Sequence, residues 1–275
     1  MKNFHYITLL LSIMLFTSCE TAIGVDLETA SPRLVVDASI NWVKGTDGSE
    51  QKIKLSTTTG YFSSAIPTVS GATVSVKNSD GTEFIFTESA TAGEYVCNNF
   101  IPTIGETYTL TILHNNQLLT ATETLKAVPI IDKIEQKIQS GIGSEEDRID
   151  IKTFFTDPGS SADFYMTRVQ TNINAIPEFT VTDDQFFQGN QIFDLYINED
   201  IRPGNVLDIK LYGISQRYYN YMLILTSIAG NAGGGPFATP PATLRGNVIN
   251  LTNQANYVLG YFSLSEVDRK VYVVY

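Results

Sequence analysis

The chain has 275 residues and a formal net charge of −11, from 18 Lys and Arg against 29 Asp and Glu. An acidic chain with no basic stripe is excluded from ordinary nucleic-acid binding and from electrostatic attachment to anionic lipid. Two histidines and two cysteines cannot furnish a zinc site, and with one cysteine taken up as described next, no intrachain disulfide is available.

The N-terminus MKNFHY carries one cation, Lys2, and is followed by the uncharged run Ile7 to Phe16. Ten helical residues reach about 15 Å, half of a bilayer core of roughly 30 Å. The run is therefore too short to cross a membrane, and residues 1–18 read as a secretory signal. It ends in LFTSCE, where the small residues Thr17 and Ser18 lead into Cys19. This looks like a bacterial lipobox, with Phe16 standing where Leu is usual. Lipid is expected on Cys19 and cleavage before it, so the mature chain meets the membrane through its N-terminal lipid. Two or more acyl chains anchor stably, at about 0.8 kcal/mol per buried CH₂.

Residues 19–32 read as a lipidated tether. Residues 33–126 read as a β-sandwich, immunoglobulin-like or transthyretin-like, with about seven short strands separated by turns. ATVSVKNSDGTEFIFTE places Ala72, Val74 and Val76 on one face, turns at Asn78 to Gly81, and returns with Phe84 and Phe86 on the same face. ETYTLTILHNNQLLTATETL alternates Tyr108, Leu110 and Ile112 with threonines and turns at His114-Asn115-Asn116-Gln117. Cys97, in the alternating run EYVCNN, reads as a buried, inert thiol.

AVPIID, residues 127–132, reads as a hinge into a second β-sandwich domain, 127–275. On this reading residues 31–126 fold alone. The second domain carries one helix near 216–229, where Tyr218, Met222, Leu225 and Ile228 or Ala229 recur at helical spacing. Ser215 can cap its start and Gly230 can end it. NAGGGPFATPPATLRGN follows, a stretch too rich in Gly and Pro for regular structure, and the chain closes with three short strands, NVINL, YVLGYFSLS and KVYVVY. An ordered loop of this length is either a rigid contact surface, with Phe237 and Arg245 as contacts, or a cover over the sandwich end.

Catalytic signatures are absent from the sequence. His114 sits in a hairpin turn, and there is no G-x-S-x-G. Glu145-Glu146-Asp147, Asp183-Asp184 and Glu199-Asp200 fall in predicted loops, where hydration is the ordinary fate and a hard cation the alternative. No D-x-[DN]-x-[DN]-G loop occurs, GGGPF lacks the Lys-Ser/Thr of a phosphate loop, and no cofactor is expected. Tyr218, Tyr219, Tyr221, Tyr261 and Phe262 could form a stacking platform or core. Tyr219 and Tyr221 fall off the helical stripe and are expected to be the exposed pair and possible ligand contacts.

PRLVVDASI, IDIKTFFTDP, LYGISQRYYNYM, GGPFATPPATLRGNVIN and VLGYFSLSEV together resemble the domain-of-unknown-function 4249 family, lipoproteins of Bacteroidota. The resemblance spans Cys19 to about Val271. It implies an outer-membrane lipoprotein, at the cell surface or the periplasmic face, associated with a TonB-dependent transporter. It carries over no catalytic residue, only the Cys19 anchor. The resulting expectation is a non-catalytic binding accessory. The alternatives are an extracellular hydrolase using a carboxylate pair and a structural or adhesive surface protein.

Cys19→Ser should leave an unlipidated precursor that fails to partition into detergent, with palmitate labelling confined to the wild type. Equal membrane retention of the variant would contradict the anchor.

Overall fold

The computed structural model describes residues 31–60, 63, 65–141, 147–230 and 244–275. Cys19, Phe237, and the Gly/Pro-rich stretch as far as 243 lie outside these residues. Pro32–Tyr275 form one compact unit, mainly β with two sandwich cores.

The first core is built on β1 (Leu34–Val43), β2 (Gln51–Thr57), β3 (Thr73–Asn78), β4 (Glu83–Glu88), β5 (Glu94–Cys97), β6 (Thr107–His114) and β7 (Gln117–Thr124). Period-two alternation puts Val74 opposite Phe86 and Val76 opposite Phe84, and all four are buried. The β6–β7 turn pairs His114 with Gln117 across Asn115 and Asn116, whose φ values of 47° and 58° are ones asparagine tolerates. Strand β4 pairs with β3 along its first part and with β5 through Thr87 and Glu88, so it joins the two layers. Cys97 is buried, and burial pushes its thiol up from the ordinary range.

The second core lies between two sheets. β8 (Ile131–Gln139), β9 (Arg148–Thr156) and β12 (Gln191–Ile197) form a three-stranded sheet in the order β12-β9-β8. β10 (Phe164–Thr171), β11 (Glu178–Asp183) and β13 (Val206–Ile214) belong to the large sheet, as β11-β10-β13. Ile151, Phe155 and Ile192 from the small sheet pack with Tyr165, Leu207, Ile209 and Leu211 from the large one. Buried Asp194 on β12 stitches the layers by accepting hydrogen bonds from Thr167 on β10 and Thr182 on β11.

The chain end departs from the sequence expectation. Only Ile249–Asn250 (β14) is a strand in NVINL, and the last two expected strands are one, β15 (Leu259–Val273). Asp268 and Arg269 do not break the strand because each has a partner. The Asp268 carboxylate accepts the Ile131 N–H at 2.7 Å, and Arg269 pairs with Asp208. The first half of β15 runs parallel to β1, from Val35 opposite Leu259 to Val43 opposite Val267. The second half runs antiparallel to β13. Upstream, Asn247 imitates a strand, since its side-chain amide donates to the Phe262 carbonyl and accepts the Phe262 N–H, both at 2.8 Å.

The first core therefore includes Val248, Val258, Phe262 and Leu264, residues that a division at 127 assigns to the second domain. Nor is 127–132 a loose hinge. Lys126 bridges to Ser265, the Glu266 carboxylate accepts the Val128 N–H at 2.9 Å, and Asp268 holds Ile131. A fragment ending at Lys126 would leave one edge of β1 bare and lack Phe262, which removes the reason to expect it to fold alone.

The helix α1 (Gln216–Gly230) starts where expected. The Ser215 hydroxyl accepts the Tyr218 N–H at 3.2 Å and donates to Glu123 on β7 at 3.0 Å. The stripe packs only in its first two turns: Met222 is buried and Tyr218 half-buried, whereas Leu225 is exposed.

Phe262→Ala should cost about 3–5 kcal/mol in denaturant unfolding. Because β15 serves both cores, the loss should appear in one shared transition; two separable transitions would contradict the shared strand.

Candidate functional site

Two clefts open beside the start of β10 and share Phe164. The larger, about 480 Å³, lies between the first turns of α1, with Gln216, Tyr219 and Asn220, and the segment leaving β11, with Asp183, Asp184, Gln185 and Gln188. Phe164 and Tyr219 form its aromatic pair, with ring centroids 5.1 Å apart and planes at 47°. The Tyr219 hydroxyl donates to Asp183 at 3.3 Å, which fixes the ring, and burial followed by Asp183 raises its phenol pKa. The smaller cleft, about 330 Å³, is walled by the 126–129 segment on one side and by Ser161, Asp163 and Tyr165 on the other.

The loop Asp184–Asn190, DQFFQGN, supplies three lining residues, Asp184, Gln185 and Gln188, and sets Phe186 and Phe187 between the last two. Phe186 is 81% exposed and Phe187 43%. Adjacent large aromatics held in water beside a cleft are unusual, since burying such a side chain is worth roughly 1.5–3 kcal/mol.

What holds this loop is a pair of buried carboxylates, Asp157 and Asp184, together with the backbone of Asp163. Asp157 is buried, and its Oδ1 accepts the N–H groups of Gly159 and Gly189, each at 2.8 Å, while its Oδ2 accepts the Tyr165 hydroxyl at 2.6 Å. Asp184, also buried, accepts the Asp163 N–H at 2.9 Å, and its own N–H donates to the Asp163 carbonyl at 3.2 Å. Glycine is required at 159: its φ is +70°, and a Cβ there would lie 2.8 Å from the Gly189 Cα. Loops 157–163 and 184–190 are thus clamped backbone to backbone.

One oxygen from each of Asp157, Asp163 and Asp184 lies within 4.8 Å of the others, a donor set that hard cations accept. The oxygens are committed instead to backbone N–H and hydroxyl donors, and no buried side-chain nitrogen or oxygen among the described residues lacks a partner. The cluster works as a brace. Its cost is visible at Asp163, whose carboxyl is raised by burial and by Asp157 and Asp184, against opposing pulls from Ser161 and Lys126. Burial, and then Asp157, likewise push the Tyr165 phenol well up.

A family model described as a domain of unknown function, DUF4249, matches residues 20–271. The chain belongs to the DUF4249 family. No curated protein matches this DUF4249 chain. Among solved structures it is similar to a two-domain fibronectin type-III segment of chicken tenascin (14% identity, 67% of this chain and 91% of that one, TM-score 0.22) and to the FN1–FN3 domains of chicken CNTN1 (13% identity, 65% and 62%, TM-score 0.25). A cytokine receptor complex scores alike (7% identity, 68% and 86%, TM-score 0.26). Scores this low carry no argument about function.

Of the residues singled out from sequence, Tyr219 lines the larger cleft but is half-buried rather than exposed. Tyr221 is half-buried too, its ring 4.8 Å from Tyr261 and 6.2 Å from Tyr218. Phe164 and Tyr261 pack against the tyrosines at the start of the helix, so leaving the stripe does not mean reaching water. Arg245 is exposed and lines neither cleft; its guanidinium sits 4.2 Å from the centre of the Tyr257 ring, which Arg33 also approaches at 3.7 Å. Phe237 and Cys19 lie outside the described residues. Of the acidic pairs, Asp183-Asp184 reaches the cleft and Glu199-Asp200 stays exposed. Sequence reasoning missed Phe164, Asp157, Asp163 and Phe186-Phe187. A signal for the last pair is present: two consecutive Phe inside DDQFFQGN break the alternation of a strand and have no helical register.

Folding raises the Asp163 carboxyl above its ordinary value, so the native state keeps this proton to higher pH than the unfolded chain does. The stability linked to this group is therefore full below the ordinary aspartate range and declines as pH rises through the raised value. Asp163→Asn should melt above wild type at neutral pH and converge with it at strongly acidic pH. Thermal melts across that range check the sign.

Proposed function

We propose that this chain is a lipid-anchored outer-membrane protein, facing the cell surface, that binds its ligand or partner without catalysis as an accessory of a TonB-dependent transporter. The observation that carries the binding reading is the larger cleft, with an aromatic pair inside, amide side chains around it and exposed Phe186 and Phe187 on a loop clamped by buried carboxylates. A clamped loop loses little freedom on binding, which favours recognition. The anchoring reading is supported by LFTSCE ending at Cys19 and by a compact β unit that begins at Pro32.

The non-catalytic reading rests on the state of the carboxylates. Hydrolysis by a carboxyl pair needs two groups facing each other across the scissile bond. The two acids of the larger cleft are chain neighbours, and both are engaged: Asp183 with the Tyr219 hydroxyl and the Gln185 N–H, Asp184 with the Asp163 N–H.

Affinity capture of the intact lipoprotein from detergent-solubilised outer membrane, followed by mass spectrometry, should recover a TonB-dependent transporter above the level seen with an unrelated lipoprotein. Recovery at the control level would overturn the accessory role.

A further inference from the structure

The larger cleft has a chemistry that selects among ligand classes. Among the described residues it is lined by no Lys, Arg or His, and Asp183 and Asp184 face it. An anionic ligand would enter without a counter-charge and against two carboxyl groups, so phosphates, carboxylates and acidic sugars are disfavoured. Four amide side chains, Gln185, Gln188, Gln216 and Asn220, come from opposite walls. An amide presents two donors and an acceptor with two lone pairs, which matches a hydroxyl that both donates and accepts. A purely apolar ligand would strip these amides of water without replacing the bonds, which is unfavourable for each group left unsatisfied.

The aromatic component supplies the remaining requirement. Phe164 and Tyr219 give flat apolar faces inside the cleft, and Phe186 holds a third ring in water on the loop between Gln185 and Gln188. A pyranose has an apolar C–H face and a rim of hydroxyls, so it can stack on a ring while its rim meets amides. The volume, about 480 Å³, falls in the range of small-ligand sites, roughly 300–1,000 Å³. It is enough for a short stretch of sugar chain, with the next unit placed over Phe186.

We propose that this cleft binds a neutral saccharide, with Phe164, Tyr219 and Phe186 as stacking surfaces and Gln185, Gln188, Gln216 and Asn220 as hydroxyl partners. This rests on the binding-protein reading above and names the ligand class of the same site. Asp183 acts by positioning Tyr219, and Asp157 by positioning the loop that carries Phe186 and Gln188.

The test uses the full lipoprotein in a detergent without a sugar headgroup. Maltohexaose, cellohexaose and xylohexaose are titrated in parallel with an acidic hexagalacturonate, and binding is read by calorimetry and by saturation transfer to sugar protons. At least one neutral hexasaccharide should bind, with a dissociation constant in roughly the micromolar-to-millimolar range, and more tightly than hexagalacturonate. Phe186→Ala and Gln185→Ala change exposed side chains and should each weaken binding about five- to tenfold with unchanged melting temperature. Failure of all three neutral sugars, preference for the acidic one, or binding indifferent to both variants would overturn the inference. Transporter capture with the same preparations separates the two readings. Capture that survives while sugars fail leaves the accessory role intact and removes the saccharide. Capture lost in Phe186→Ala, with no sugar bound, makes the cleft a protein-docking surface and likewise removes the saccharide.

Discussion

Strand β15 is the element on which the rest of the structure depends, because each half of it completes a different core. Its first half supplies the parallel partner of β1, and Gly260 permits the approach: φ there is +89°, and a Cβ would lie 2.0 Å from the Val36 carbonyl oxygen. Its second half pairs with β13, and β13 leads directly through Ser215 into α1. Between the halves, Glu266 and Asp268 reach out to hold the backbone of 128–131. The position of α1, and with it one wall of the larger cleft, is therefore set by contacts between residues more than a hundred positions apart.

The second recurring device is the buried or half-buried acid used as a hydrogen-bond acceptor for backbone N–H or side-chain hydroxyl groups. Asp157 and Asp184 clamp two loops, Asp268 and Glu266 hold the 127–132 segment, and Asp194 joins two sheets. Each carboxylate lost water on burial and recovers the loss through N–H or O–H donors, since charge-assisted bonds are roughly twice as strong as neutral ones. In an acidic chain these groups are easily read as surface solubility. Here several of them are among the most buried polar residues, and they determine which loops stand beside the cleft.

How far the sequence is legible follows from the range of the interaction involved. Hairpins were readable because alternation and turn chemistry are local; the β3–β4 and β6–β7 registers follow from Val74, Val76, Phe84, Phe86 and the Asn115-Asn116 turn. The helix start was readable from Ser215 for the same reason. The union of YVLGYFSLS with KVYVVY was not, because Asp268, Arg269 and Lys270 look like a break until Ile131 and Asp208 are seen beside them. The cleft was half legible. Tyr219 stood out by its helical position, but its partner Phe164 lies on a strand more than fifty residues earlier. The aspartate brace draws on two separate loops, in which Asp157-Pro158-Gly159 and Asp183-Asp184 carry a local mark and Asp163 carries none.

The account turns on whether the loop beside the cleft is clamped in solution as the carboxylates require. Amide hydrogen exchange of the intact protein reads this directly at Gly159, Asp163 and Gly189, whose N–H groups are held by Asp157 and Asp184 rather than by any strand ladder. These three amides should be protected to a degree comparable with β10 and β13, exchanging only through larger openings of the second core. Exchange at the rate of an unstructured loop would show that the brace does not hold, and the preformed cleft would fall with it.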